Sequence, residues 1–139
     1  MRGSARAVQC AFLLLAVAIA APGCNIRKMA LRETGKVMAA GSVALNREPD
    51  YEFARISMPA SLKTVEVMLE SLPDDPNMLM LLAQGYGAYA FLFLEDEVDL
   101  ADEAGDTARV NGMKERAAGL YLRAQDFAAR MFADPTLRK

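Results

Sequence analysis

Apolar and polar positions alternate along this chain with a helical period wherever the pattern is strong. The spacing predicts four helices over residues 26–43, 53–72, 77–97 and 107–132. Gly35 and Gly41 weaken the first helix, because glycine costs up to about 1 kcal/mol in a helix interior. Pro59 is expected to mark the true first turn of the second helix, where proline is tolerated.

Turn residues separate the predicted helices. A loop is expected over residues 46–52, where Pro49 and Asp50 stand together. A second break is expected over residues 72–77, with Pro76 and the acids before it at the start of the third helix. The pattern therefore indicates an all-α chain of helical hairpins.

The third predicted helix is apolar on every side, since only Gln84 is strongly polar between Met78 and Leu94. Such a helix either spans a bilayer or lies at the centre of a protein. It is short, contains two glycines and is flanked by acids, all of which are unfavourable for a bilayer span. The sequence therefore favours a buried central helix.

Seven acids and no base occupy residues 95–106. A calcium-binding loop starting at Asp96 would need Gly at its sixth position and Glu at its twelfth, but Ala101 and Thr107 stand there. We therefore expect a solvated loop between two helices.

The N-terminus has the pattern of a secretory signal. Arg2 and Arg6 precede an apolar run over residues 10–21, which ends in Pro22 and Gly23 just before Cys24. A bacterial lipoprotein signal has this form, so we predict a lipoprotein signal peptide over residues 1–23, with Cys24 acylated in the mature chain. A plain signal peptide and a short membrane anchor are the alternatives, although a dozen apolar residues is too few to cross a bilayer core, which takes about 20.

Composition narrows the function. Removal of the signal discards Arg2 and Arg6 and no acid, so the net charge falls from −2 to −4 and a nucleic-acid partner is not expected. The chain has no His, the commonest general base and metal ligand, so neither catalysis nor a metal or other cofactor is expected. A hydrolase that uses the acids of residues 95–106 is the weakest alternative.

A tetratricopeptide pattern fits parts of the chain. On the second predicted helix and just after it, the residues that fit the pattern are Ser61, Val65, Met68 and Pro73. The next repeat opens with Leu79, Leu82, Ala83 and Tyr86 at the required spacings. Its second helix is matched by Ala117, Tyr121 and Ala124. The distance from Leu79 to Ala117 is longer than a standard repeat allows, which excludes a single regular array.

Three stretches together resemble the T component of tripartite ATP-independent periplasmic (TRAP) transporters, the TatT-like lipoproteins. They are "CNIRKMA" after the predicted signal, "PASLKTVEVMLESLPDDPNMLMLLAQGYGAYAFLFLEDEVD" and "RAAGLYLRAQDFAARMF". Family members are about twice as long, so residues 24–139 resemble the N-terminal part of a longer helical-repeat domain.

The resemblance implies a periplasmic, lipid-anchored accessory protein of a TRAP-type solute transport system. Its partners would be the system's periplasmic substrate-binding protein and the lipid bilayer, it would associate as a trimer, and its ligand would be hydrophobic or an organic acid. Asn25 after the lipid site lacks the Asp of inner-membrane retention, which favours the outer membrane. A generic lipid-anchored scaffold for envelope assembly is the alternative.

Candidate ligand-lining residues lie on the third helix. Gly85 could let a ligand or another backbone come close, while Tyr86, Tyr89 and Phe93 offer apolar rings and hydroxyls. Two other interpretations stay open: the aromatics form plain core, and the glycines, Gly85 and Gly87, permit a tight helix crossing.

Overall fold

The computed structural model describes residues 23–45 and 47–133. Within these residues it contains four helices and no strand: α1 (Gly23–Leu45), α2 (Tyr51–Leu69), α3 (Pro76–Glu103) and α4 (Thr107–Ala133). The all-α prediction and the number of helices are thus confirmed. The chain divides into two compact units, Met1–Ala30 and Leu31–Lys139. The described part of the first unit is the start of α1.

Most of the predicted signal, residues 1–22, lies outside the described residues, as do residues 134–139. In the second unit, one face of α1 packs on the core through Leu31 and Met38. Gly35 between them is buried against Met78 of α3. A Cβ at residue 35 would lie 2.8 Å from the Met78 Cε atom, so this glycine permits the close approach of α1 to α3.

Helix α2 begins earlier than Pro59 predicts, and the prediction that Pro59 marks its first turn is wrong. The side chain of Asp50 caps the helix by accepting the Phe53 amide at 3.0 Å. Tyr51 then holds the first turn against α3, since its hydroxyl donates to Asp96 at 2.9 Å and its ring meets Phe93 edge-on at 5.0 Å. These contacts outweigh the hydrogen bond that Pro59 cannot donate inside the helix.

Helix α3 begins as expected, with the Asp75 carboxylate accepting the amides of Asn77 and Met78 at 3.1 Å and Pro76 in the first turn. It is long and apolar enough to cross a membrane by length and composition alone, but half of its most apolar window is buried in the protein. Its buried face supplies the centre of the core, as the sequence predicts. Its other face is exposed, and it carries Met80, Phe91 and Leu92.

The acidic segment is helical, and the prediction of a loop over residues 95–106 is wrong. Helix α3 passes through a π-helical segment at Ala90–Glu95 and continues as an α-helix over Asp96–Glu103. Ala101 is fully buried and anchors this last part, while most of its acids are exposed. The true turn is confined to residues 104–106, where Gly105 adopts φ +71°.

The turn is a Schellman motif, because the Asp106 amide donates to the Ala101 carbonyl and the Gly105 amide donates to Asp102, both at 2.9 Å. The Asp106 carboxylate then accepts the Arg109 amide at 3.0 Å and so caps α4.

Helix α4 covers the second side of α3. Phe127 packs in the main core cluster, where its ring stacks on Tyr86 at a centroid distance of 6.0 Å. Ala117 packs in a second cluster with Tyr89, Phe93 and Leu94. The other members of the main cluster come from α2, α3 and the turn between them: Leu62, Val65, Leu69, Leu72, Met78, Leu79 and Leu82.

Candidate functional site

An open groove of about 610 Å³ lies between α1, α2 and α3 in the second unit. This volume lies within the range of about 300–1,000 Å³ that is usual for small-molecule sites. Helix α1 contributes Met38, Ala39, Gly41 and Ser42, and helix α2 contributes Met58, Ser61, Leu62 and Val65. Helix α3 forms the remaining wall with Asn77, Met80, Leu81, Gln84, Gly85 and Ala88.

All of these lining residues are uncharged. The polar ones are Ser42, Ser61, Asn77 and Gln84. The two serine hydroxyls donate within their own helices, Ser42 to the Ala39 carbonyl at 2.7 Å and Ser61 to the Ser57 carbonyl at 3.1 Å. The groove is therefore apolar with a few neutral polar groups, which is the chemistry of a site for a small organic molecule.

Gly85 is the one predicted ligand-lining residue that borders the groove. It also lies against Leu62, and a Cβ at residue 85 would overlap the Leu62 Cδ2 atom. The close approach of α2 and α3 therefore accounts for this glycine. At Gly87 the nearest atom to an added Cβ is the Ala124 Cβ at 4.0 Å, which is ordinary contact.

Tyr86 points away from the groove, into the core between α2 and α4. Its ring is buried against Phe127, and the Arg123 guanidinium lies 4.8 Å above the ring centroid. Its hydroxyl donates to the Glu66 carboxylate at 2.7 Å. Burial, together with the hydrogen bond to that negative charge, raises the pKa of Tyr86 to about 12.

Glu66 is the centre of this polar cluster. Besides Tyr86 it accepts from Lys63 at 2.6 Å and pairs with Arg123 at 2.5 Å, and its side chain is only 14% exposed. Burial alone would raise the pKa of the carboxyl, but the donors and the nearby cations outweigh it, and the pKa of Glu66 is lowered. The cluster joins α2, α3 and α4 and leaves Glu66 ionised.

Tyr89 and Phe93 are buried in the second cluster, with their ring centroids 5.1 Å apart. Neither residue borders the groove. The structure thus brings Tyr89 and Phe93 together with Tyr51 of α2 and separates them from Gly85. A ligand-lining role for these aromatics stays a prediction, and their observed contacts are those of core residues.

Two acids, one at the end of the π-helical segment and one just after it, hold α3 to α4. Glu97 pairs with Arg109 of α4, and Glu95 accepts the Tyr121 hydroxyl. Burial and the Glu95 hydrogen bond raise the pKa of Tyr121 to about 12. Within residues 23–45 and 47–133 no group of three or more metal-ligating side chains comes together.

Sequence reasoning missed the groove itself, including the methionines Met38, Met58 and Met80. These residues come from three different helices, and no motif or spacing in the sequence connects them. Cys24 lies in α1, but its side chain is outside the described part of the structure, so its acylation stays a prediction.

A family model described as "TRAP transporter T-component" matches residues 47–137. The matched range covers the second, third and fourth helices and the cluster around Glu66. No curated protein and no solved structure gives a significant match.

Proposed function

The chain belongs to the TRAP transporter T-component family, and from this premise we propose that it is a lipid-anchored periplasmic accessory protein of a TRAP-type transport system. Its protein partner in this proposal is the substrate-binding protein of that system. The family match over residues 47–137 is the observation that carries the proposal. This family consists of transport accessory components and is not an enzyme family.

Attachment to the membrane is the second element of the proposal. Acylation of Cys24 after removal of residues 1–23 would tether the chain, with the outer membrane as its expected location because Asn25 follows the lipid site. Stable anchoring takes two or more acyl chains, since one alone gives only marginal binding. In this proposal the protein associates with copies of itself as a trimer.

The anchor is tested by labelling cells with a radioactive fatty acid. The wild-type protein incorporates the label, and a Cys24→Ala variant does not, whereas a Cys10→Ala variant, which changes the other cysteine, still does. Label that persists in the Cys24→Ala variant would contradict lipidation at this residue. Separation of the inner and outer membranes gives the location of the labelled protein.

The partnership is tested in intact cells by chemical crosslinking followed by purification of the full-length protein. The expected product is a crosslink to the TRAP substrate-binding protein of the same organism, and deletion of the gene reduces uptake of that system's solute. If neither the crosslink nor the uptake defect appears, and envelope assembly is impaired instead, the chain acts as a general scaffold.

The ligand is the least defined element. The groove between α1, α2 and α3, with Gly85 on its wall, is the proposed ligand site. Tyr86, Tyr89 and Phe93 do not border the groove, so they would influence ligand binding through the packing of α3. Tyr89→Ala and Phe93→Ala variants are expected to weaken ligand binding while α-helical circular dichroism is retained; loss of the helical signal with no separate loss of binding would make both residues core only.

A further inference from the structure

The groove between α1, α2 and α3 has no means to neutralise a buried charge. None of its lining side chains, all of which the structure describes, is ionisable. Lys36 is the lysine closest in sequence to the residues of α1 that line the groove. It is exposed and pairs with Glu33 at 2.7 Å. A carboxylate held on the floor of the groove, against the buried Leu62 and Val65, would lose its hydration without gaining a cation, which is strongly unfavourable.

Two of the neutral polar groups of the groove lie on one face of α3. Asn77 and Gln84 both border the groove and lie seven residues apart, which is two turns along one face of α3 or about 10 Å. Within the part of the chain that the structure describes, neither side-chain amide has a hydrogen-bond partner in the protein. An amide both donates and accepts, so it suits a hydroxyl or an ester.

The rest of the wall is adaptable and apolar. Met38, Met58 and Met80 come from the three different helices, and methionine is unbranched and polarizable, so it fits ligands of irregular shape. Leu62 and Val65 close the floor of the groove, where both are buried. A flexible aliphatic chain matches this surface better than a rigid polar molecule does.

We propose that the groove binds an uncharged aliphatic molecule with a neutral polar head, of the class of a long-chain alcohol or ester, and that it does not bind small organic acids such as dicarboxylates. This inference rests on the proposed function in taking the groove as the ligand site of the transport component. A small organic acid that such a system carries is then bound by another protein or another surface.

The probe for the test is a photoreactive diazirine analogue of 1-hexadecanol, applied to membranes that contain the full-length protein. Mass spectrometry maps the labelled peptides. Label is expected in residues 38–42, 58–65 and 77–88, and excess 1-hexadecanol reduces it roughly tenfold, whereas excess succinate leaves it unchanged.

Two glycine variants show whether the label comes from the groove. Gly41 borders the groove and Gly112 of α4 does not, while an added Cβ meets nothing within 4 Å at either position. Gly41→Leu is expected to lower the label roughly tenfold, and Gly112→Leu to leave it unchanged. A Gln84→Glu variant, which places a negative charge at the exposed edge of the groove, also lowers the label.

Equal labelling of the Gly41→Leu and Gly112→Leu variants would overturn the proposal, and so would displacement of the probe by succinate. The crosslink to the substrate-binding protein is measured separately from the labelling. If that crosslink forms in cells and the labelling fails, the ligand inference alone is wrong; if the labelling succeeds without the crosslink, the transport function is wrong.

Discussion

The hydroxyl of Tyr86 on α3 donates a hydrogen bond of 2.7 Å to the carboxylate of Glu66 on α2. Arg123 of α4 pairs with the same carboxylate and stacks over the Tyr86 ring, so one cluster connects three helices. This cluster lies on the side of α2 and α3 that faces α4, whereas the groove lies on the side that faces α1. Variants in the cluster therefore test stability without changing the lining of the groove.

A Tyr86→Phe variant removes this hydrogen bond and keeps the aromatic ring. Because the acceptor is charged and mostly buried, the free energy of unfolding is expected to fall by about 1.5 kcal/mol. Urea denaturation at pH 7 measures the loss. Tyr121→Phe, which removes a hydrogen bond from an exposed tyrosine to Glu95, is the matched control and is expected to cost less. An equal loss of unfolding free energy in both variants would contradict the expectation that the buried hydrogen bond contributes more than the exposed one.

The stability of the protein is expected to decline at alkaline pH. The pKa values of Tyr51, Tyr86 and Tyr121 are each raised from 10.0 to about 12, with burial as the first cause and a carboxylate acceptor as the second. A raised pKa in the folded state means that these groups stabilise the protein fully below pH 10. The contribution is then lost as the pH rises from about 10 through about 12.

The measurement is urea denaturation of the wild type and the Tyr86→Phe variant between pH 9 and pH 12. The wild type is expected to lose its advantage over the variant as Tyr86 ionises. An advantage that stays constant over this range would show that the pKa of Tyr86 is the same in the folded and the unfolded protein.

Replacement by alanine is expected to have opposite effects on the free energy of unfolding at the two glycines in the centre of α3. At Gly85 a Cβ overlaps Leu62, so Gly85→Ala is expected to lower the free energy of unfolding by about 1–3 kcal/mol. At Gly87 there is room for a Cβ, so Gly87→Ala is expected to raise it by up to about 1 kcal/mol through helix propensity. Thermal melts of both variants compare the two sites.

A second change separates overpacking at Gly85 from other effects. Leu62→Ala costs stability by itself because it creates a cavity. If the overlap is the cause, Gly85→Ala is expected to cost less in the Leu62→Ala background than in the wild type. Additive losses would show that the two side chains do not compete for the same space.

Pro59 in the interior of α2 is expected to cost stability. Its replacement by Ala restores a hydrogen-bond donor toward the Arg55 carbonyl, four residues earlier. The free energy of unfolding is expected to rise by about 1 kcal/mol, which is less than the full cost of a helical proline because the helix has adapted to it. A lower melting temperature for Pro59→Ala would show that the proline is favourable in α2.

The number of helices and the central position of α3 could be predicted, because both follow from local apolar spacing. The start of α2 and the helical state of residues 96–103 could not. In each case the deciding contacts are distant in sequence: Tyr51 with Asp96 across 45 residues, and Glu97 with Arg109. Local signals, the proline and the run of acids, favoured the wrong structure.

The candidate site was predicted least well. An apolar stripe with glycines indicates that something packs closely on α3, but it does not indicate whether a ligand or a helix does so. At Gly85 the neighbour is Leu62, and the groove lies beside this contact. Only the arrangement of three helices shows which face of α3 is open and which is filled by α4.

The π-helical segment at Ala90–Glu95 determines the direction in which the later side chains of α3 point around the helix axis. A π-helical turn contains one residue more than an α-helical turn, and each α-helical residue corresponds to about 100° of rotation. Without that extra residue, the Asp96–Glu103 segment would be rotated by about a quarter of a turn. Ala101 would then leave its buried position, and Asp96 and Glu97 would no longer face Tyr51 and Arg109. The extra residue thus adjusts the rotation of α3 about its axis, so that both halves of this helix contact α2 and α4.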